Sequence, residues 1–321
     1  MATSQADSKS NRRNWREMLA IATNQSPHRL SCWYWLNLAT FAAILLSLAV
    51  FLMLYFLVQG LVTPMRSPVT TSPAHYGLAY QPITLTTADG LHLRGWYIPG
   101  SRPEAIILVH GIHANRSQMM PQALPLTEAG YHLLLFDLRG HGHSDASELT
   151  YGYQEALDVQ AAVDYLLATP GVEQVGAFGS SLGGAVVARA AAIEPRLSAV
   201  VIENSFSSLA RTIENHFNST LWLGLLLTTL AEYRIGLKAE QVNPARDLAA
   251  FRQPVLIIHG DSQPLYLVEY AYSLYEAAGG PKELWLVKGL GHVSPAVERE
   301  AEFKARLLSF FERAFAQQSS R

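Results

Sequence analysis

The most apolar part of the chain is one continuous run near its N-terminus. From Leu30 to Met65, 36 successive positions carry no charged residue, and the 24 residues from Trp35 to Val58 are almost all apolar. As a helix rising about 1.5 Å per residue, that core would be about 36 Å long, enough to cross a hydrocarbon layer about 30 Å thick. Three aromatic residues at 33–35 lie at one edge of the run, as in an interfacial belt. The pattern predicts one transmembrane helix over residues 33–60.

The distribution of positive charge predicts an orientation for this helix. Five basic and two acidic residues precede it, whereas only Arg66 follows it before Asp89. The positive-inside rule then places residues 1–32 in the cytoplasm as a tail, and the rest of the chain on the extracytoplasmic side. A buried core helix and a cleaved signal peptide are the alternatives. The run is longer than the apolar region of a signal peptide, and no small-residue cleavage site follows it.

Beyond a linker at 61–81 with three prolines, short apolar runs alternate with helical patterns. Two runs flank Asp89-Gly90 and predict a β-hairpin. Six further runs are typical of strands buried on both faces. The eight runs lie at 83–87, 91–98, 105–110, 131–137, 175–180, 199–203, 255–260 and 284–288. The helical patterns lie at 118–129, 153–168, 182–193, 267–278 and 296–316. This alternation predicts an α/β domain over 82–316, with a mainly parallel sheet and helices on both faces.

An insertion of about fifty residues, 204–254, interrupts the alternation. It contains the apolar stretch "FNSTLWLGLLLTTLA", which is too short and too interrupted to predict a second span. Two interpretations remain, and they are compatible with each other. The insertion forms a helical cap over the carboxyl edge of the sheet, at about 205–250, or an amphipathic segment that touches the bilayer.

Composition narrows the function without naming it. The chain has 321 residues and a net charge of −2, so no large basic surface indicates nucleic-acid binding. Cys32 is its one cysteine, which rules out an intrachain disulfide and argues against a cysteine-based metal site. No metal-ligand spacing or phosphate-binding loop is present, so we expect neither a metal nor a cofactor.

The sharpest chemical signal is Gly179-Ser180-Ser181-Leu182-Gly183, between an apolar run and an alanine-rich helical pattern. Flanking glycines permit a tight strand-to-helix turn, which exposes the serine hydroxyl at the sheet edge. The start of the next helix directs N–H groups and partial positive charge toward that point. This context predicts Ser181 as a nucleophile, rather than a glycine-rich packing turn.

A serine nucleophile needs a base and two donors for the developing oxyanion. His292, directly after the last predicted strand, is the best placed of eleven histidines. A loop histidine that caps the last helix is the alternative. The expected oxyanion donors are the backbone N–H of Leu182 and that of Ile112, in the loop after the third strand.

The ordered segments of the domain resemble those of a known family. They are "TADGLHLRGWYIP", "LVHGIHANRS", "FDLRGHGHS", "YGYQEALDVQAAVDYL", "GSSLGG", "HGDSQ" and "GLGH". Over about residues 64–316 they resemble the α/β-hydrolase superfamily, and more narrowly its serine aminopeptidase-like or extended-lipase-like branch, many members of which carry an N-terminal membrane anchor. The resemblance implies an eight-stranded sheet with Ser181 as nucleophile and His292 as base. It implies no substrate, since fold does not fix function.

The chain departs from the family at the triad acid. The family's acid usually lies four residues after the histidine of "HG", where this chain has Gln263. A glutamine can orient an imidazole but cannot stabilise its charged form. Three explanations remain open. Asp261 in the same loop supplies the carboxylate, Glu203 after the sixth strand supplies it, or no acid is used.

Together these features predict a membrane-anchored serine hydrolase with an α/β-hydrolase fold and a helical cap. It would cleave a carboxylic ester, thioester or small amide through an acyl-enzyme, with Ser181, His292 and provisionally Asp261 as the triad. Its expected partners are an acyl or lipid-like small molecule and the bilayer, not a nucleic acid. The alternative is a weakly active or inactive member that binds a ligand or partner through the retained pocket, and Gln263 is the main support for it.

Overall fold

The computed structural model describes residues 27–217 and 221–319. These residues form two compact units, which divide between Phe56 and Leu57. Most of the predicted cytoplasmic tail, residues 1–26 of 1–32, lies outside the described residues, and so does part of the predicted cap, residues 218–220.

The long apolar run forms a single helix, α1 (Pro27–Val62). Its segment Ser31–Val62 is long enough to cross a membrane and contains an 18-residue window with a mean hydropathy of 2.7. Most of its large apolar side chains are exposed, Trp33 by 70% and Phe56 by 67%. By length and composition the helix is a candidate membrane span, and both its membrane role and its orientation stay predictions.

All eight apolar runs form strands of one sheet. The strands are β1 (Gln81–Thr86), β2 (His92–Ile98), β3 (Glu104–Val109), β4 (His132–Phe136), β5 (Gln174–Ser180), β6 (Leu197–Glu203), β7 (Val255–Gly260) and β8 (Lys282–Val287). Their order is β1-β2-β4-β3-β5-β6-β7-β8. Strand β2 pairs antiparallel with β1 and β4, and the other pairs are parallel. The predicted hairpin and the mostly parallel eight-stranded sheet are therefore confirmed.

Helices follow most of the strands, as the alternation predicts. They are α2 (Met120–Glu128), α3 (Ala156–Leu167), α4 (Leu182–Ile193), α5 (Leu209–Phe217), α6 (Leu221–Ile235), α7 (Pro244–Ala250), α8 (Leu265–Ala277), α9 (Pro295–Glu298) and α10 (Glu300–Ser319). The helix predicted at 296–316 is two helices, because Arg299 leaves the helical conformation with φ −137° and ψ 43°.

Each face of the sheet carries its own apolar core, because successive strand side chains point to opposite faces. Ile107 and Val109 of β3 pack with α3, α4 and α8, whereas Ile106 and Leu108 pack with α2 and α10. Leu248 of α7 is fully buried in the first of these cores. Helix α7 thus belongs to the main core, although the predicted cap extends to about residue 250.

The parallel strands bring the predicted site residues to one edge of the sheet. The chain leaves β3, β5, β6, β7 and β8 at their carboxyl ends, which lie side by side. In open sheets of this kind the loops at that edge form the ligand crevice. Residues far apart in sequence are therefore expected to meet there.

Candidate active site

Ser181 lies at the turn between β5 and α4 in a conformation that few side chains adopt. Its φ is 55° and its ψ is −115°, in a region that favours glycine. The flanking glycines make the turn possible. A Cβ atom at Gly179 would lie 2.1 Å from the Gly183 carbonyl oxygen, and one at Gly183 would lie 2.2 Å from that of Val109. Since neither contact is tolerable, the G-x-S-x-G spacing is a steric requirement of this turn.

The His292 ring reaches the serine from the loop after β8. Its Nε2 lies 3.2 Å from Ser181 Oγ, within hydrogen-bonding distance. Its other nitrogen, Nδ1, lies 3.2 Å from Gln263 Oε1. The structure thus places serine, imidazole and amide in one line of contacts, with glutamine where a triad would have its acid.

Asn204 identifies which end of the Gln263 amide faces His292. The Gly260 N–H can only donate, and it lies 3.1 Å from Asn204 Oδ1, so this atom of Asn204 is the acceptor. Gln263 Nε2 lies 3.2 Å from the same oxygen and 3.4 Å from the Gly260 carbonyl. With two acceptors on that side, the amide nitrogen is fixed there and the oxygen turns to the ring. A carbonyl oxygen accepts, so Nδ1 of His292 carries the proton and Nε2 is left as the acceptor for the serine hydroxyl.

The two carboxylates considered for the triad make other contacts. Asp261 Oδ1 accepts from the Gly289 N–H at 2.7 Å and from the Ser262 hydroxyl at 3.4 Å. The first of these bonds joins the loop after β7 to the loop after β8. The expectation that Asp261 contacts His292 is therefore corrected, because the side chain two residues later occupies the position beside Nδ1.

Glu203 lies fully buried behind the serine rather than beside the histidine. The Ser180 hydroxyl donates to its Oε1 at 2.9 Å, and the Ser294 hydroxyl donates to its Oε2 at 2.8 Å. Gln122 in turn donates to Ser294 Oγ at 2.9 Å. Burial raises the pKa of Glu203 to about 7, against an ordinary value of 4.5. Glu203 thus joins the residue before the nucleophile to the loop that carries His292.

Ile112 lines the same cleft as Ser181 and His292, which has a volume of about 410 Å³. Leu182 follows the serine as the first residue of α4. Within the described ranges 27–217 and 221–319, the backbone N–H groups of Leu182 and Ile112 donate to no acceptor. The neighbouring Gly111 N–H is instead bound by Gln118 Oε1 at 2.8 Å. The two predicted oxyanion donors therefore have unused hydrogen-bonding capacity, which a ligand oxygen could take.

Another histidine near the site is bound into the fold. His110 Nε2 accepts from the Leu138 N–H at 3.0 Å, and its Nδ1 donates to the Gly111 carbonyl at 2.7 Å. Burial lowers the pKa of His110 to about 3, so the ring stays neutral.

Across residues 27–217 and 221–319, no three His, Cys, Asp or Glu side chains are grouped to hold a metal ion.

Sequence reasoning missed the residues that hold the site together. Asn204 was not singled out, and its φ of 50° is a conformation that asparagine tolerates better than most side chains. An asparagine directly after a buried strand was the available signal for it. Ser294, two residues after the predicted base, gave no comparable signal.

Comparison with known proteins identifies similarity to proteins of the alpha/beta hydrolase fold. A family model described as the alpha/beta hydrolase fold matches residues 104–234. An uncharacterized protein of Mycobacterium tuberculosis is 32% identical over 220 residues, covering 66% of this chain and 72% of the relative. The uncharacterized protein YfhR of Salmonella typhi is 28% identical over 254 residues, covering 73% and 82%.

Among solved structures, an esterase of Pyrococcus furiosus is similar over nearly its whole length. One crystal form gives a TM-score of 0.68 at 26% identity, covering 79% of this chain and 98% of the esterase. A second gives 0.67 at 25% identity, covering 78% and 99%.

The burial of Glu203 predicts a pH dependence of stability. Because its pKa is raised in the folded state, the folded protein binds more protons than the unfolded chain between about pH 4.5 and about pH 7, and stability falls as pH rises through that window. The loss amounts to about 3 kcal/mol. We expect Glu203→Gln to flatten this dependence in denaturant unfolding at about pH 5 and about pH 8.

Glu298→Gln, on the exposed surface, is the control and should follow the wild type. An equally steep pH dependence in Glu203→Gln would show that another group is responsible.

Proposed function

The chain belongs to the α/β-hydrolase superfamily, and from this we propose that it is a serine hydrolase that cleaves carboxylic esters through an acyl-enzyme on Ser181. The observation that carries the proposal is the line of contacts from Ser181 Oγ through His292 to Gln263 Oε1. The esterase of Pyrococcus furiosus supports ester cleavage over thioester or amide cleavage.

Acylation begins with the proton of the serine hydroxyl. As Ser181 Oγ attacks the ester carbonyl carbon, its proton moves to Nε2 of His292, which is 3.2 Å away. The resulting imidazolium gives that proton to the alcohol oxygen as the C–O bond breaks. Water then attacks the acyl-enzyme with the same histidine as base, which releases the acid and restores Ser181.

The oxyanion of each tetrahedral intermediate would be held by the backbone N–H groups of Leu182 and Ile112. The Leu182 amide begins α4, so the helix N-terminus adds partial positive charge at the same point. Removing one such donor from other serine hydrolases costs about 10²–10³ in rate, which shows how much this arrangement can contribute.

Gln263 takes the place of the triad acid as a neutral orienting residue. Its oxygen accepts the Nδ1–H bond and so selects the tautomer in which Nε2 is a base. It adds no charge, and the imidazolium therefore lacks the stabilisation that a carboxylate provides. Partial burial also lowers the pKa of His292. We therefore place the protein among hydrolases with a correctly oriented base and a weakly stabilised imidazolium.

Helix α1 would anchor the enzyme to a membrane, with residues 1–32 in the cytoplasm and the hydrolase domain on the other side. The supporting observations are the hydropathy of Ser31–Val62 and the excess of basic residues before it. With this anchor and the ordered motifs, the chain fits the serine aminopeptidase-like or extended-lipase-like branch. An acyl or lipid-derived ester at the membrane surface is the substrate class that suits such a location.

Labelling with a fluorophosphonate tests the nucleophile. We expect the wild-type chain to be labelled and Ser181→Ala not to be, because the probe needs a serine activated by a base. Ser180→Ala is the matched control, since its hydroxyl donates to Glu203 and not to His292, and it should keep its labelling. Labelling that is equally weak in wild type and Ser181→Ala would reject the hydrolase and favour the ligand-binding alternative.

The pH profile of ester hydrolysis tests the role of Gln263. Activity requires neutral His292 and is lost as pH falls through its pKa. Gln263→Glu places a carboxylate of the same shape beside Nδ1, which raises that pKa. We expect the acidic limb of kcat/KM for p-nitrophenyl acetate to move up by about one to three pH units.

Asp261→Asn is the control and should leave the acidic limb in place, since its carboxylate binds Gly289. A downward shift in Asp261→Asn, with none in Gln263→Glu, would mean that Asp261 supplies the charge after all.

A further inference from the structure

Helix α6 presents large apolar side chains to solvent. Trp222 is 73% exposed, Leu225 67%, Leu226 38% and Tyr233 89%. Their spacing of three, four and eleven residues from Trp222 places them on one side of the helix. We refer to these four residues as the α6 stripe. Leu227, by contrast, is 5% exposed and faces the protein.

This exposed side is unusual for a helix on the surface of a water-soluble domain. Such a helix normally buries an apolar face and turns charged or polar residues outward. In α6 the outward residues between Trp222 and Tyr233 include no charge, and Thr229 is the polar residue among them. Contiguous apolar surface of this kind indicates a contact with a membrane or another protein.

The position of α6 decides between these two partners. The last turn of α1, which belongs to the same compact unit as the sheet, lies beside α6. Leu61 and Val62 of that turn and Ala231 and Ile235 of α6 line one apolar cavity of about 250 Å³.

Hydrogen bonds hold the end of α1 in this place. The Tyr151 hydroxyl donates to the Leu61 carbonyl at 2.7 Å, and the Leu149 N–H donates to the Val62 carbonyl at 2.8 Å. The helix end and α6 therefore form parts of one packed region, joined through the body of the domain. Helix α6 therefore lies beside the last turn of α1, which is the end of the proposed span.

We propose that α6 is a second membrane contact, whose stripe lies in the interfacial layer of the bilayer that α1 crosses. The proposal rests on the anchoring role given to α1 above. Tryptophan and tyrosine favour this layer because their rings are amphipathic, and here they lie near the two ends of the stripe, with leucines between them. The stripe carries no charge, so the binding would depend on apolar burial and a zwitterionic lipid would suffice.

The contact would hold the insertion at 204–254 against the membrane. Asn204, the first residue of the insertion, lines the catalytic cleft together with Ser181. An ester dissolved in the bilayer could then reach the catalytic cleft by diffusing within the membrane. This adds a route of substrate access to the acyl-ester function proposed above.

Fluorescence quenching in nanodiscs of phosphatidylcholine tests the contact on the full chain. With Cys32→Ala removing the native thiol, single cysteines are introduced by Leu225→Cys in the stripe, Leu45→Cys in α1 and Glu302→Cys on α10, and each is labelled with an environment-sensitive fluorophore. Leu225 and Glu302 are both exposed, so neither change disturbs a core. Doxyl-labelled lipid reports contact with the bilayer, and iodide reports contact with water.

We expect the labels at 225 and 45 to lose emission with doxyl lipid and to resist iodide, and the label at 302 to do the reverse. If the label at 45 is quenched by lipid but the label at 225 only by iodide, the membrane contact of α6 is rejected while the anchoring role of α1 stands. If the label at 45 is also quenched only by iodide, the anchoring role of α1 is rejected.

Discussion

The side chain of Asn204 is the contact on which the geometry of the candidate site depends. Its oxygen accepts from the Gly260 backbone and from the Gln263 amide, and its nitrogen donates to the Val293 carbonyl at 3.3 Å. One amide thereby joins the end of β6 to the loops after β7 and β8. The Gly260 N–H fixes the orientation of Asn204, and Asn204 fixes that of Gln263. The position of the proton on the His292 ring is therefore determined by two residues, Gly260 and Asn204, through their effect on Gln263.

A neutral residue can therefore perform half of the usual task of a triad acid. A carboxylate both orients the imidazole and stabilises its positive form, and loss of the charge commonly also loses the orientation, because an amide can turn its nitrogen to the ring. Here the two acceptors on the nitrogen side of Gln263 prevent that. What Gln263 does not supply is a negative charge to stabilise the imidazolium. The buried carboxylate of Glu203 does not supply it by direct contact either, because it binds Ser180 and Ser294.

The parts of the structure that follow from local pattern could be predicted from the sequence. Six strands form continuous apolar runs and the other two flank the turn at Asp89-Gly90, so all eight were visible in the sequence. The G-x-S-x-G turn is dictated by backbone clearance at Gly179 and Gly183. The sequence leaves open which side chain lies beside Nδ1, Gln263, Asp261 or Glu203, because the choice depends on contacts such as that of Gln263 with Asn204, 59 positions earlier. Asp261 was a reasonable candidate by sequence distance alone. The assignment of α7 to the main core likewise depends on burial of Leu248, which an apolar pattern does not locate.

The state of the His292 ring is the most direct test of this account. Nitrogen NMR of the full chain with ¹⁵N-labelled histidine, at neutral pH, distinguishes the two tautomers and the charged form. The account predicts a neutral ring with its proton on Nδ1 and a free lone pair on Nε2. A ring protonated on both nitrogens would reveal a carboxylate partner, and a proton resident on Nε2 would show that Gln263 does not orient the base; either result would contradict the central claim.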